Sequence, residues 1–227
     1  MKPVNDNDLP EAAQEYASPP CLMHKFDPLN GNRVMDPDVA RWRKAEREGL
    51  IAARLAIPAA ERRRLSRRIV AWLDQALGDV SGRIVSAYWP FRGEPDLRPW
   101  IRGLESRGAV GSLPVVVHRQ APLVFRSWRR DEPLEPGVWK IPVPSSGIAV
   151  TPDIVISPVV GFDPHCFRLG YGGGFYDRTL AALPRRTWIV GVGYEQQAIR
   201  TIYPQDHDVA MEMIITESGI VTPADAS

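Results

Sequence analysis

The stretch Gly161-Phe-Asp-Pro-His-Cys-Phe-Arg-Leu-Gly-Tyr-Gly-Gly-Gly-Phe-Tyr-Asp-Arg178 concentrates residue types that do chemistry. Four glycines, Gly170, Gly172, Gly173 and Gly174, fall within five residues. Without side chains, they let the backbone approach a ligand and aim successive amides at one anion. A helix starting beside them adds the positive end of its dipole. Arg168, just upstream, carries a forked donor set suited to phosphate oxygens. Asp177, early in the helix, is placed to hold a magnesium ion bridging those oxygens. No Gly-Lys-Ser/Thr follows, so this is not a Walker A loop. The third position of a dinucleotide fingerprint starting at Gly170 falls on Phe175, so it is not that motif either. A bare strand-to-helix turn explains glycines alone. It does not explain an arginine, an aspartate and the aromatics Tyr171, Phe175 and Tyr176, which are costly in such a loop unless they cover a flat ligand.

The flanking elements follow from periodicity. Asp36-Pro37 reads as N-cap and first helical residue of a helix running to about Leu55. Pro58 opens a second helix, with Leu65, Ile69, Trp72, Leu73, Ala76 and Leu77 on one face and Gly78 as its stop. Strands are predicted at Arg83–Trp89, Leu113–Val117, Leu123–Trp128, Asp153–Ser157, Thr187–Tyr194 and Glu212–Thr216, with helices at Asp96–Ser106 and Gly173–Leu183. Apolar strands alternating with helices predict a parallel sheet covered on both faces. In such folds ligands sit at the carboxyl ends of strands, where the unusual loop falls. Residues 1–36, rich in Pro, Asn and Asp, read as an N-terminal extension, with a packing point at Pro20–Met23. Residues 37–227 read as one α/β domain.

Arg168-Leu-Gly-Tyr-Gly-Gly-Gly-Phe-Tyr-Asp-Arg178, preceded by Gly161-Phe162-Asp163, resembles the signature of the 5-formyltetrahydrofolate cyclo-ligase family. The likeness runs in order from about Trp42 to Thr216. It takes in Tyr88-Trp89-Pro90 with Glu94, Trp139-Lys-Ile-Pro-Val-Pro144, and Asp206-His207-Asp208 before Met211–Glu217. The resemblance implies a three-layer α/β/α fold like that of ribose-phosphate isomerase and the CoA-transferases. It implies ATP-dependent cyclisation of 5-formyltetrahydrofolate to 5,10-methenyltetrahydrofolate, releasing ADP and phosphate. It places Arg168, Leu169, Gly170, Tyr171, Gly172, Gly173, Gly174, Phe175 and Tyr176 around ATP, with Arg168 and Tyr176 in catalysis. Trp89, Glu94, Tyr171 and Phe175 would meet the folate, and Asp177 and Asp208 would hold Mg2+. The family's early basic pair, Lys then Arg four residues on, corresponds to Arg43 and Arg47, with Lys44 adjacent, and the resemblance puts these three at the ATP phosphates. Arg at the first position departs from that pattern, and the two side chains are not interchangeable at a phosphate. This departure leaves open a family member that binds a folate or nucleotide without turnover.

Other signals read more plainly. Asp96 caps the helix after it, Asp163 makes a turn, and His165 with Cys166 packs a loop. Arg62–Arg64 with Arg67 and Arg68 reads as a solvated helix face; an RNA-binding role for it is the weaker alternative. Two cysteines build no disulfide framework, and a formal charge of +1 gives no general pull toward nucleic acid. No apolar run approaches the roughly 20 residues of a membrane helix, and Met1–Tyr16 lacks an apolar leader core. A cytoplasmic, monomeric or weakly dimeric enzyme with a small-molecule folate substrate, and no nucleic-acid or membrane partner, is expected.

Overall fold

The computed structural model describes residues 37–184 and 186–224. The expected N-cap Asp36, the Pro20–Met23 packing point and the N-terminal extension lie outside them. In chain order the elements are α1 (Pro37–Ala56), α2 (Ala59–Leu77), β1 (Ile84–Ser86), α3 (Arg98–Arg102), β2 (Val110–Val115), β3 (Val124–Ser127), β4 (Leu134–Pro136), β5 (Pro142–Pro144), β6 (Ala149–Val150), β7 (Ile154–Pro158), β8 (Gly161–Phe162), β9 (Arg168–Leu169), α4 (Phe175–Ala182), β10 (Trp188–Val192), β11 (Met213–Ile215) and β12 (Ile220–Val221).

Eight strands form one sheet in the order β12-β11-β10-β7-β1-β2-β3-β6. The central five are parallel, while β12, β3 and β6 join antiparallel. Side chains alternate across the sheet, as the strand period of two requires. Ile154 and Ile156 of β7, with Val190 and Val192 of β10, face a core closed by Leu65, Ile69 and Leu73 of α2 and Trp100 and Ile101 of α3. Val155, Ile189 and Ile214 face the other way, onto Leu180 of α4, Phe162 and Cys166. Both faces are therefore covered, and the central strands read as apolar throughout.

The sequence boundaries need correcting: the strand expected at Leu113–Val117 is β2 at Val110–Val115, and the following elements differ as well. The expected helix at Asp96–Ser106 is one turn of α3, then Gly103, then a 3-10 turn at Glu105–Arg107; glycine is a poor interior helix residue. The first strand ends at Ser86, and Ala87–Glu94 becomes a loop at the carboxyl ends of the central strands. The two-stranded pairs β4–β5 and β8–β9 and the edge strands β6 and β12 were not predicted. Each is two or three residues long, too short to show a period. Gly78 does end α2, at φ 60, donating its amide to the Asp74 carbonyl.

Candidate active site

The carboxyl ends of β1, β2 and β7 open onto a cleft of about 720 Å³. The glycine loop between β9 and α4 forms one wall. Gly172 (φ 88) and Gly174 (φ 62) hold left-handed backbone, which a residue with a Cβ adopts only at a cost. A Cβ at Gly172 would sit 3.3 Å from the Arg47 guanidinium. Arg178 steadies the loop by donating to the Gly173 carbonyl at 3.0 Å. The Thr179 hydroxyl donates to the Phe175 carbonyl and accepts from the Leu123 amide, fixing α4 to the segment entering β3.

Arg168 leaves β9 almost fully buried. One amino group donates to Ser157 Oγ at 3.2 Å and the other to Asp177 Oδ1 at 2.6 Å. Its Nε–H is buried without a partner among the described residues. The guanidinium lies 4.9 Å from the centre of the Tyr176 ring, a cation–π contact. Burial drives the Tyr176 phenol well above its ordinary value, against the opposing pull of Arg168. Among the described residues, Asp177 Oδ2 has no partner.

Helix α1 runs across the mouth of these strands. Arg47 donates through Nε to the Gly170 carbonyl at 2.6 Å and makes no ion pair among the described residues. Burial, then the charge of Arg43, pulls its pKa down. Arg43, one turn earlier, is engaged on nearly every side. It donates to the Ile202 and Tyr203 carbonyls and, with both amino groups, to Asp208. Asp208 Oδ2 also accepts the Gln205 amide at 2.7 Å. The two carboxylates expected to share a metal therefore differ: Asp177 keeps a free oxygen, while Asp208 is committed to Arg43. Among the described residues no three His, Cys, Asp or Glu side chains form a metal-holding group.

The loop after β1 lines the cleft in contact with the glycine loop. Glu94 is buried, with Oε2 accepting the Phe91 amide at 2.9 Å and Oε1 accepting the Tyr171 hydroxyl at 2.7 Å. Burial raises its pKa to about 7; Arg54, Tyr171 and the Phe91 amide work in the other direction. Trp89 packs edge-on to Trp128 at 5.9 Å and also lines the cleft. Every residue the sequence singled out for the site lines this cleft except Lys44, which is exposed to solvent.

Three participants escaped the sequence reading as site residues. Trp139, 60% exposed, stands edge-on to Phe175 at 5.8 Å and lines the cleft; its place in the Trp139–Pro144 segment was the available signal. Phe91 packs against Tyr171 at 5.8 Å. Arg54 is fully buried behind the wall. Its signal was spacing: positions 43, 47 and 54 lie on one helical face. The readings of Asp163 and Cys166 hold. Asp163 accepts the His165, Phe167 and Ile202 amides. Cys166 is buried, its thiol pushed up to about 11 by burial and then by Asp163, as an unreactive packing residue should be. Asp96 accepts the Arg98 amide at the start of α3. Arg64 pairs with Glu61 on the exposed face of α2.

An open α/β sheet with a glycine-rich, arginine-flanked cleft at the carboxyl ends of its parallel strands defines an α/β enzyme of the kind that binds its ligand there. Residues 39–217 match the 5-formyltetrahydrofolate cyclo-ligase family. The chain is 30% identical over 190 residues to a 5-formyltetrahydrofolate cyclo-ligase of Mycolicibacterium smegmatis, covering 77% of this chain and 94% of that one. It is 32% identical over 148 residues to the Escherichia coli K12 cyclo-ligase, covering 62% and 81%. Its fold matches the solution structure of Aquifex aeolicus 5,10-methenyltetrahydrofolate synthetase, with a TM-score of 0.71, 26% identity, and coverage of 82% and 94%. The Mycoplasma pneumoniae 5,10-methenyltetrahydrofolate synthetase shares the fold, with a TM-score of 0.65 at 22% identity, covering 77% and 98%. This protein belongs to the 5-formyltetrahydrofolate cyclo-ligase family. No helix among the described residues is long and apolar enough to cross a membrane.

Proposed function

We propose that this protein cyclises 5-formyltetrahydrofolate to 5,10-methenyltetrahydrofolate at the expense of ATP. The observation that carries the reading is one continuous cleft. It is lined by the glycine loop, Arg47 and Arg168 together with Trp89, Phe91, Arg92 and Glu94 of the loop after β1. In this chemistry ATP phosphorylates the formyl oxygen, nitrogen 10 attacks the activated carbon, and phosphate leaves. Such a reaction asks the protein for positioning and charge neutralisation more than for a nucleophile. Arg47, with no ion pair among the described residues, and Arg168, paired with Asp177, both keep unused guanidinium donors, and two such cations near one loop suit a polyphosphate. Glu94 faces the cleft as an acceptor for the guanidine-like edge of a pterin, and Tyr171, Phe175 and Trp89 supply flat surfaces.

Magnesium fits Asp177, because the ion needs only one or two carboxylates beside phosphate oxygens. Bound there it would neutralise charge on the transferred group. Asp208 would join it only by releasing Arg43, so its role in this arrangement is to hold α1 against the loop at 202–208. Replacing Asp177 by Asn should cut magnesium-dependent turnover about a hundredfold, while the Asn side-chain oxygen still accepts from Arg168 and limits the loss of thermal stability. Parallel losses of activity and stability would remove Asp177 from the metal site.

One observation favours a second reading, binding without turnover. The position the family fills with Lys is Arg43, and that side chain is spent on Asp208. The near-ultraviolet absorbance of methenyltetrahydrofolate decides. A rise that requires protein, 5-formyltetrahydrofolate, ATP and Mg2+ together supports the ligase. A flat trace, with thermal stabilisation by folate or nucleotide, supports the binder.

A further inference from the structure

Arg54 is the largest fully buried side chain among the described residues, with no measurable exposure. An arginine is rarely buried unless paired, yet it makes no ion pair among the described residues. Its donors fan out to three segments instead. Nε–H reaches the Arg92 carbonyl at 2.9 Å, one amino group the Val159 carbonyl at 3.2 Å, and the other the Tyr171 hydroxyl at 2.6 Å. These belong to the loop after β1, the end of β7 and the glycine loop. Arg54 itself does not line the cleft; Arg92, Pro158 and Tyr171 do.

The contact at Arg92 has a second meaning. Arg92 (φ 46) and Gly93 (φ 77) are consecutive left-handed residues, a conformation that persists only where the surroundings impose it. The Arg54 bond falls on that carbonyl, immediately before Glu94. At Tyr171 the chain of donors continues, for the hydroxyl that accepts from Arg54 donates to Glu94.

We propose that Arg54 is a positioning residue that, through the Tyr171 hydroxyl and the Arg92 carbonyl, locks the glycine loop and Glu94 into one recognition unit. The inference rests on the folate reading for its substrate and on geometry alone for the link. The Arg fork is what the task needs, because three acceptors in three directions cannot be met by the compact ammonium of Lys.

The test begins with ligand-free protein. Infrared spectroscopy follows the carboxylic-acid band of Glu94, assigned by its loss in Glu94→Gln. The charged and titratable groups acting on Glu94 are Arg54 of α1, Tyr171 of the glycine loop, Tyr88 after β1 and Tyr176 of α4. Only Arg54 is a cation. Arg54→Met should raise the titration midpoint by about one unit, and Arg54→Lys by less. The KM for 5-formyltetrahydrofolate should rise about tenfold in Arg54→Met, as for one lost bond to a charged group, with a much smaller change in kcat. Should Arg54→Met fail to fold, Tyr171→Phe cuts the same link without emptying the buried site, and the same two shifts are expected. An unmoved midpoint with an unmoved folate KM, or a loss of thermal stability alone, overturns the proposal. If the wild type makes no methenyltetrahydrofolate yet the midpoint still moves with Arg54, the ligase reading falls and the link stands.

Discussion

Arg43 and Arg47 sit one turn apart on the same face of α1, and the regions they enter differ. Around Arg43, the loop at 202–208 closes on the guanidinium from several sides with two carbonyls and a bidentate carboxylate. Around Arg47, the glycine loop offers one carbonyl and leaves the remaining donors toward the cleft. The difference teaches how to read a basic cluster: a saturated guanidinium is scaffold, and an unsaturated one beside a glycine loop is prepared for an anion. Arg168 lies between the two kinds: it is paired with Asp177 and bonded to Ser157, yet keeps a buried Nε–H without a partner among the described residues.

The comparison can be broken by experiment. Arg43→Ala leaves Asp208 buried without its cation and should lower stability by about 3–5 kcal/mol, measured by denaturant unfolding; restoring part of it by adding Asp208→Ala would confirm the pair. Glu94 gives the next effect. Its folded pKa of about 7 lies above the ordinary glutamate value of 4.5, so its contribution favours the folded state fully below pH 4.5 and is lost as pH rises through 7. Glu94→Gln should flatten that fall, on the order of 3 kcal/mol, in urea midpoints taken from pH 5 to pH 8. Arg47→Ala should raise the KM for ATP tenfold to a hundredfold while moving stability by under about 1 kcal/mol; a large stability loss would put Arg47 in the same class as Arg43. Arg64→Ala, which breaks an exposed, solvent-screened pair with Glu61, should leave both activity and the denaturant midpoint unchanged.

The glycine loop was legible because its residue types make demands that few other structures satisfy. Four glycines, an arginine and an aspartate in order point to an anion without any knowledge of the fold. The central strands were legible because burial on both faces leaves an unbroken apolar run. The division of labour on α1 was not. Arg43, Arg47 and Arg54 are the same letter at helical spacing, and what separates them is partners more than a hundred residues away, at Asp208, Gly170 and Val159. Asp208 was read as a metal ligand for the same reason: a carboxylate does not announce its cation. The short pairs β4–β5 and β8–β9 carry no period to detect, and β4 and β5 contain prolines.

The two edges of the main sheet, β6 and β12, are each two residues long, and each is followed two residues on by a proline, Pro152 and Pro223. An unpaired strand edge is a template for other chains, and brevity with a missing N–H donor blunts it. An incoming strand would find two residues of ladder and then no donor. The margins that gave the sequence reading least to work with are thus what keep this sheet from growing into its neighbours at high concentration.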